Sequence, residues 1–168
     1  MSNTLYDLSV PMFIHNMEML IKILGKGQSY ALKKKLDPKL LVDSRLIVDM
    51  YSIPRQIQIG TDMVRKGIGR LAGKEAPSFK DNEQTFQQLQ KRLERTINFL
   101  KKIKPKDMED AETKKIEFMI RDRQFKFDRG DEYLTQWIIP HFFFHMTTTY
   151  NILRANGVNL GKRDFVKM

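Results

Sequence analysis

The most constraining feature of this sequence is an apolar stripe that repeats every three or four residues over roughly five helical turns. The stripe consists of Phe86, Leu89, Leu93, Ile97, Leu100 and Ile103. We expect a helix from about Asp81, a favourable N-cap residue, to Ile103, where Lys104-Pro105 ends it. A helix with one apolar face has to bury that face, so the chain needs further long elements to pack against it.

The start of the chain predicts a second helix with the same periodicity. This helix is expected to begin near Ser9, with Pro11 in its first turn. Gly25 and Gly27 have low helix propensity, so a kink or pause is expected there. The cap-then-proline pair Asp37-Pro38 predicts a short helical turn after it.

A further long helix is predicted from about Ser52–Pro54 to Gly73, a natural helix stop. Gly60 and Gly67 lie on one face of it, beside the apolar stripe. Two glycines on one helical face weaken the helix, so they indicate that another element or a ligand approaches closely. Tight helix packing is the favoured interpretation of the two.

Residues 116–120 and 125–127 alternate between apolar and polar side chains, with a polar turn between them, which predicts a β-hairpin. The last long helix is then predicted from Gly130-Asp131 to Asn156-Gly157. Its centre, Trp137–Met146, is apolar almost all round, which is typical of burial in a bundle or against a second subunit. Pro140 should kink the helix unless its lost hydrogen bond is replaced.

These elements predict an all-α fold, a single helical-bundle domain over residues 1–168 with a short β-hairpin before the last helix. The sequence has no cysteine, which excludes disulfides, thiolate metal sites and a cysteine nucleophile. No signal peptide and no membrane span are predicted, so the cytoplasm is the default location. The formal net charge is +10, but the cations cluster near helix ends and acidic residues are interspersed, which favours solvated surface over a nucleic-acid site.

The candidate site lies on the last helix, where His141 and His145 are four residues apart and share a face. Two histidines at this spacing can share a divalent cation such as zinc or nickel, although a third ligand has to come from elsewhere. The alternative, which the residues alone favour, is a pair of core histidines that bond to a backbone carbonyl or a carboxylate. Position 142 is phenylalanine, so the glutamate of the His-Glu-x-x-His zinc proteases is missing.

Three further residues complete the predicted ligand-binding set. Gln56 lies beside the glycine-bearing face of the preceding long helix, and Asp49 reaches that face if the helix extends back far enough. A carboxylate near an imidazole would orient the ring and raise its pKa, although surface placement of Asp49 is the alternative. Trp137 lies one turn before His141 and adds an aromatic wall.

The sequence resembles an uncharacterised branch of the DinB-like proteins over essentially its whole length. The segments that carry the resemblance are Leu5–Pro11 (LYDLSVP), Arg55–Gln58 (RQIQ), Pro140–His145 (PHFFFH) and Asn156–Phe165 (NGVNLGKRDF). The resemblance implies an up-down-down-up four-helix bundle that is often dimeric.

The resemblance also implies a metal site. In DinB-like relatives one histidine of the second helix and a His-x-x-x-His pair of the last helix hold a divalent metal, and some members are thiol-dependent transferases. His141 and His145 match the pair in spacing and placement. The second-helix histidine has no counterpart in this chain, and Gln56 or Asp49 is the nearest substitute.

Three functions follow as hypotheses from these observations. The first is a small-molecule- or metal-binding bundle whose pocket is lined by His145, His141, Gln56 and aromatic side chains. The second is a non-catalytic interaction or structural module whose last helix forms a homodimer. A metal- and thiol-dependent transferase is a further alternative that rests on the resemblance alone.

Overall fold

The computed structural model describes residues 4–166, most of which lie in helices. The helices are α1 (Leu5–Lys33), α2 (Pro38–Val42), α3 (Ile53–Ala72), α4 (Phe86–Leu100), α5 (Gly130–Tyr133), α6 (Ile139–Ala155) and α7 (Lys162–Phe165). Two 3-10 turns lie at Pro105–Met108 and Ala111–Thr113, and strands β1 (Ile116–Ile120) and β2 (Arg123–Phe127) precede α5. A π-helical segment, Leu134–Ile138, joins α5 to α6, and the three together form the last long helix.

Helix α1 begins at Leu5, four residues before the predicted start. Thr4 is the N-cap: its hydroxyl accepts from the Asp7 amide, and the Asp7 carboxylate accepts from the Thr4 amide. The prediction of Ser9 as the cap was wrong, because Ser9 is buried inside the helix and its hydroxyl donates to the Leu5 carbonyl. Pro11 consequently lies within the helix instead of in its first turn.

The predicted pause at Gly25 and Gly27 was also wrong, since α1 continues without a break to Lys33, while the alternative of a kink stays a prediction. Gly27 is in close contact with α4 and the last helix: a Cβ atom built there would lie 3.1 Å from both Phe86 and Leu153. Tertiary packing therefore outweighs the low helix propensity of glycine at this position.

Helix α4 is shorter than predicted at both ends. Thr85 caps it by accepting from the Gln88 amide, and the Gln88 side chain accepts from the Thr85 amide in return. Asp81, predicted as the N-cap, instead forms ion pairs with Arg55 and Arg92. The apolar stripe itself is buried as predicted.

Helix α3 runs as predicted, ending at Gly73 in the left-handed conformation with φ of 63°. The expectation of a close approach along its glycine face is confirmed. A Cβ atom at Gly60 would lie 3.2 Å from the Cβ of His145, and one at Gly67 would lie 2.6 Å from Cδ1 of Ile138. The two glycines therefore let α3 lie close against the last long helix.

Replacing Gly67 with alanine should lower the free energy of unfolding by about 1–2 kcal/mol. The added methyl overlaps Ile138, which is fully buried, and this overpacking outweighs the gain of up to about 1 kcal/mol in helix propensity. Urea denaturation followed by circular dichroism measures the change. Gly25→Ala is the matched control, because outside its own helix the new Cβ meets, among residues 4–166, only Gln90 Nε2 at 3.5 Å, and it should leave stability unchanged or raise it. Equal effects for the two variants would contradict the packing argument.

The predicted β-hairpin is confirmed as an antiparallel pair in which Phe118 faces Phe125 and Ile116 faces Phe127. Its two-residue turn contains Arg121 at a positive φ of 55°. The phenylalanine rings pack on the start of the last long helix, with Phe125 4.7 Å from Trp137 and Phe127 5.0 Å from Tyr133. The hairpin is thus attached to the helices through an aromatic cluster.

The last long helix accommodates Pro140 through the π-helical segment that lies just before it. Ile139 donates to the carbonyl of Leu134, five residues back, so the hydrogen-bond ladder has already changed where proline lacks its N–H. Helix α3 packs most extensively on α6, and α1 packs on α4. Among residues 4–166, none of the helices has the length and apolar character needed to cross a membrane.

Candidate functional site

His145 lies on the inner face of α6 and is only 8% exposed. Its Nδ1 is 2.7 Å from Oε1 of Gln56 on α3. The Gln56 amide is oriented by its other end, because its Nε2 donates to the backbone carbonyl of Tyr51 at 3.0 Å. A carbonyl oxygen only accepts, so Nδ1 of His145 carries the proton and Nε2 carries the lone pair.

The neutral form of His145 is favoured by its surroundings. Burial is the main cause, and the nearby charges of His141 and Arg55 add to it, lowering the pKa of His145 to about 4. The side chain is therefore uncharged at neutral pH. Its Nε2 makes no hydrogen bond to any of residues 4–166 and is not fully buried, so it is available to accept a proton or a hydrogen bond.

His141 lies one turn earlier on the same helix and is half-buried. Its Nδ1 donates to the Trp137 carbonyl at 2.7 Å, and its ring is 4.3 Å from the Trp137 ring. A bond to a backbone carbonyl is the arrangement that the core-histidine alternative predicted. Both imidazoles are thus held by Nδ1, and each leaves Nε2 for another partner.

The residues present do not fit the metal site that the family resemblance implies. Gln56, the nearest substitute for the missing histidine, accepts a hydrogen bond from His145 Nδ1 through its side-chain oxygen. It therefore orients the imidazole instead of serving as a metal ligand. Asp49 lies in an exposed turn before α3, because the helix begins at Ile53 and does not extend back to it. Over residues 4–166, no three His, Cys, Asp or Glu side chains lie together as a metal-binding group.

The space beside His145 is small. A cavity of about 10 Å³ lies between α3 and α6, with Gly60, Thr61 and Phe142 among the residues in its wall. This is the size of one water molecule, and no organic ligand fits there. The structure therefore brings His145 and Gln56 together, with His141 one turn away, and the space beside them has the volume of a single water molecule.

A much larger space, which we call the α3–hairpin cleft, has Trp137 in its wall. It has a volume of about 370 Å³. Its walls are Arg55, Gln58, Ile59, Asp62, Met63, Lys66, Arg70 and Asp81 on the side of α3, and Phe118, Met119, Ile120 and Trp137 on the side of the hairpin and last helix. Because Trp137 also contacts His141, the cleft and the histidine pair are neighbours.

Arg70 is a polar residue of the cleft that the sequence did not single out. Its guanidinium lies 4.2 Å from the centre of the Phe118 ring, and its Nη1 donates to the Tyr133 hydroxyl at 3.0 Å. Burial raises the pKa of Tyr133, so this phenol stays neutral. In the sequence, Arg70 is distinguished only as a charged residue beside the apolar stripe of its helix. Nothing there indicated that Phe118 would lie against it.

Comparison with known proteins identifies the family. Residues 5–166 match the family described as a domain of unknown function, DUF1993. A solved structure described as a DinB family member protein from Shewanella denitrificans is 34% identical, with a TM-score of 0.88 over 98% of this chain and 92% of that one. No curated protein matches significantly. The resemblance predicted from the sequence is thus confirmed, and the chain belongs to the DUF1993 family, a DinB-like group of largely helical proteins.

Proposed function

We propose that this protein binds a small organic molecule in the α3–hairpin cleft, next to the histidine pair. The observation that carries the proposal is the cleft itself, whose volume of about 370 Å³ is within the range typical of ligand pockets. Its walls combine aromatic and methionine side chains with a few charged groups, the mixture that binds and orients a ligand.

The histidine pair supplies chemistry at one side of this site. Trp137 belongs to the cleft wall, and its ring contacts the His141 ring at a tilt of 47°. Arg55 also lines the cleft and is close enough to influence the charge of His145. Trp137 therefore separates a ligand in the cleft from His141, and Arg55 links the cleft electrostatically to His145.

A fragment screen observed by NMR tests the proposal, with the indole N–H of Trp137 as reporter. The sequence has one tryptophan, so that signal is unambiguous. We expect binding fragments to shift the Trp137 indole signal together with amides of α3 and the hairpin. Met63→Phe, which adds volume inside the cleft, should weaken those fragments, whereas Met19→Phe on α1 should not. Shifts confined to other parts of the chain would contradict the proposal.

A second candidate function is the homodimeric interaction module, which one observation favours. Phe144 on the last helix is 57% exposed, and Pro140, one turn before it, is exposed as well. An apolar ring in that position is the kind of group that an interface covers. Light scattering at micromolar concentration tests it, and a monomer would remove this candidate.

We also propose that the four long helices are arranged as an up-down-down-up bundle. The packing of α3 on α6 and of α1 on α4 supports this arrangement.

A further inference from the structure

The charges of the α3–hairpin cleft are unequal. Three cations line it, Arg55, Lys66 and Arg70, against two carboxylates, Asp62 and Asp81. Both carboxylates are already engaged by a guanidinium buried behind them: Arg92 Nη2 lies 2.8 Å from Asp62 and 3.0 Å from Asp81. Arg55 also pairs with Asp81 at 2.7 Å and Lys66 with Asp62 at 2.8 Å. The two carboxylates are therefore outnumbered by the cations that hold them, and Arg70 is a further cation in excess.

A second buried guanidinium strengthens this imbalance. Arg65 is 1% exposed and pairs with Asp62 at 2.6 Å, while its Nε and Nη1 have no hydrogen-bond partner within the described part of the chain. Burial raises the pKa of Asp62, but the hydrogen bonds and charges of Lys66 and Arg65 outweigh burial and hold it below its usual value. Asp62 is thus an ionised counterion of buried cations, and it leaves little negative charge to oppose an anion in the cleft.

Arg70 is the cation best arranged to bind such an anion. It forms no ion pair with any carboxylate of residues 4–166. The Phe118 ring and the Tyr133 hydroxyl fix the plane of its guanidinium, while its remaining N–H groups have no protein partner in the same range. A guanidinium held in place with unused N–H groups matches the two oxygens of a carboxylate or phosphate.

The rest of the cleft wall suits a flat apolar group. The ring centres of Phe118 and Trp137 are 5.9 Å apart, and the ring planes are inclined to each other at 63°. Met63 and Met119 line the same space with flexible thioether side chains. A planar ring could contact the aromatic faces while its acidic group reaches Arg70.

We propose that the α3–hairpin cleft is a site for a planar molecule that carries a carboxylate or phosphate, with Arg70 as the residue that binds the acidic group and Lys66 as a supporting cation. This inference rests on the proposed function, small-molecule binding in the same cleft, and adds the chemical class of the ligand.

The test measures quenching of Trp137 fluorescence in the full chain by three probes. Benzoate and benzamide have nearly the same shape and differ in charge. Phenyl phosphate carries a phosphate in place of the carboxylate. We expect both anions to bind, and benzamide to bind at least about tenfold more weakly, since a charge-assisted pair contributes that much. Phosphate and carboxylate ligands are separated by their relative affinities.

Variants assign the selectivity to the cleft. Arg70→Gln should weaken both anions about tenfold and leave benzamide unchanged. Because that variant also removes a partner of Tyr133, Lys66→Gln provides a second measurement that leaves Tyr133 untouched, with an expected loss of about threefold. Arg154→Gln, an exposed cation in the last turn of α6, is the matched control and should have no effect.

The outcomes separate the two proposals. If benzamide binds the cleft as well as benzoate does, the ligand class is wrong while small-molecule binding stands. If none of the probes and no screened fragment perturbs Trp137, both fail. If benzoate binds equally to the Arg70→Gln and Arg154→Gln variants, the charge of the cleft does not select the ligand and the inference is overturned.

Discussion

Replacing Arg92 with leucine should lower the free energy of unfolding by about 3–5 kcal/mol, the cost typical of removing one partner of a buried ion pair. The Arg92 side chain is fully buried, and it donates to Asp62 and to Glu83. Its Nε donates to the Thr61 hydroxyl at 2.9 Å. Leucine would leave the Glu83 carboxylate, which is 7% exposed, without the cation that it binds here.

Urea denaturation followed by circular dichroism measures this loss. Lys91→Leu is the matched control, because Lys91 precedes Arg92 on the same helix but is exposed. It should change stability by no more than about 0.5 kcal/mol. A loss of less than about 1 kcal/mol for Arg92→Leu would show that the buried network contributes little to stability, whatever its geometry.

The second large effect is a loss of stability on acidification that depends on His145. The pKa of His145 is about 4 in the folded protein, against 6.5 for an unperturbed histidine. Between these values the unfolded chain binds the proton and the folded chain does not, so stability falls as the pH drops from 6.5 to 4. The difference of about 2.5 pH units corresponds to about 3 kcal/mol. Above pH 6.5 the contribution is fully present.

Carboxylates titrate in the same range, so the His145 contribution has to be isolated by difference. His145→Asn cannot take up a proton, and its Nδ2 matches the position of the histidine Nδ1, so that it can still donate to Gln56 Oε1. The stability of the wild type minus that of this variant, measured by urea denaturation at several pH values, should fall by about 3 kcal/mol from pH 6.5 to pH 4. Parallel pH profiles for the two proteins would refute the assignment of a low pKa to His145.

The order and type of the long elements were predictable from the sequence, but some of their ends were not. The apolar stripe of α4 is local information, so the helix itself was readable. Its start was misplaced because Asp81 is as good a cap in sequence as Thr85, and only the fold shows that Arg55 and Arg92 take the Asp81 carboxylate. The pair Thr85 and Gln88, with capping-box spacing, was the signal that could have corrected it.

The candidate site was predictable only in part, for a related reason. The spacing of His141 and His145 is local, and the glycine at position 60 indicated that α3 comes close to another element. The partnership of His145 with Gln56 spans 89 positions, and its tautomer depends on the carbonyl of Tyr51. Arg70 and Phe118 are likewise distant in sequence, so the α3–hairpin cleft had no local signature.

The π-helical segment Leu134–Ile138 sets the angular phase of everything that follows it in the helix. One extra residue in a turn rotates the downstream side chains by roughly 100° relative to an uninterrupted α-helix. Upstream of the segment, Tyr133 packs against the hairpin, and downstream of it His145 faces Gln56 on α3. Deleting one residue here would turn the histidine pair away from α3 without changing a single side chain of the site, so chain length at this point is as decisive as the identity of the histidines.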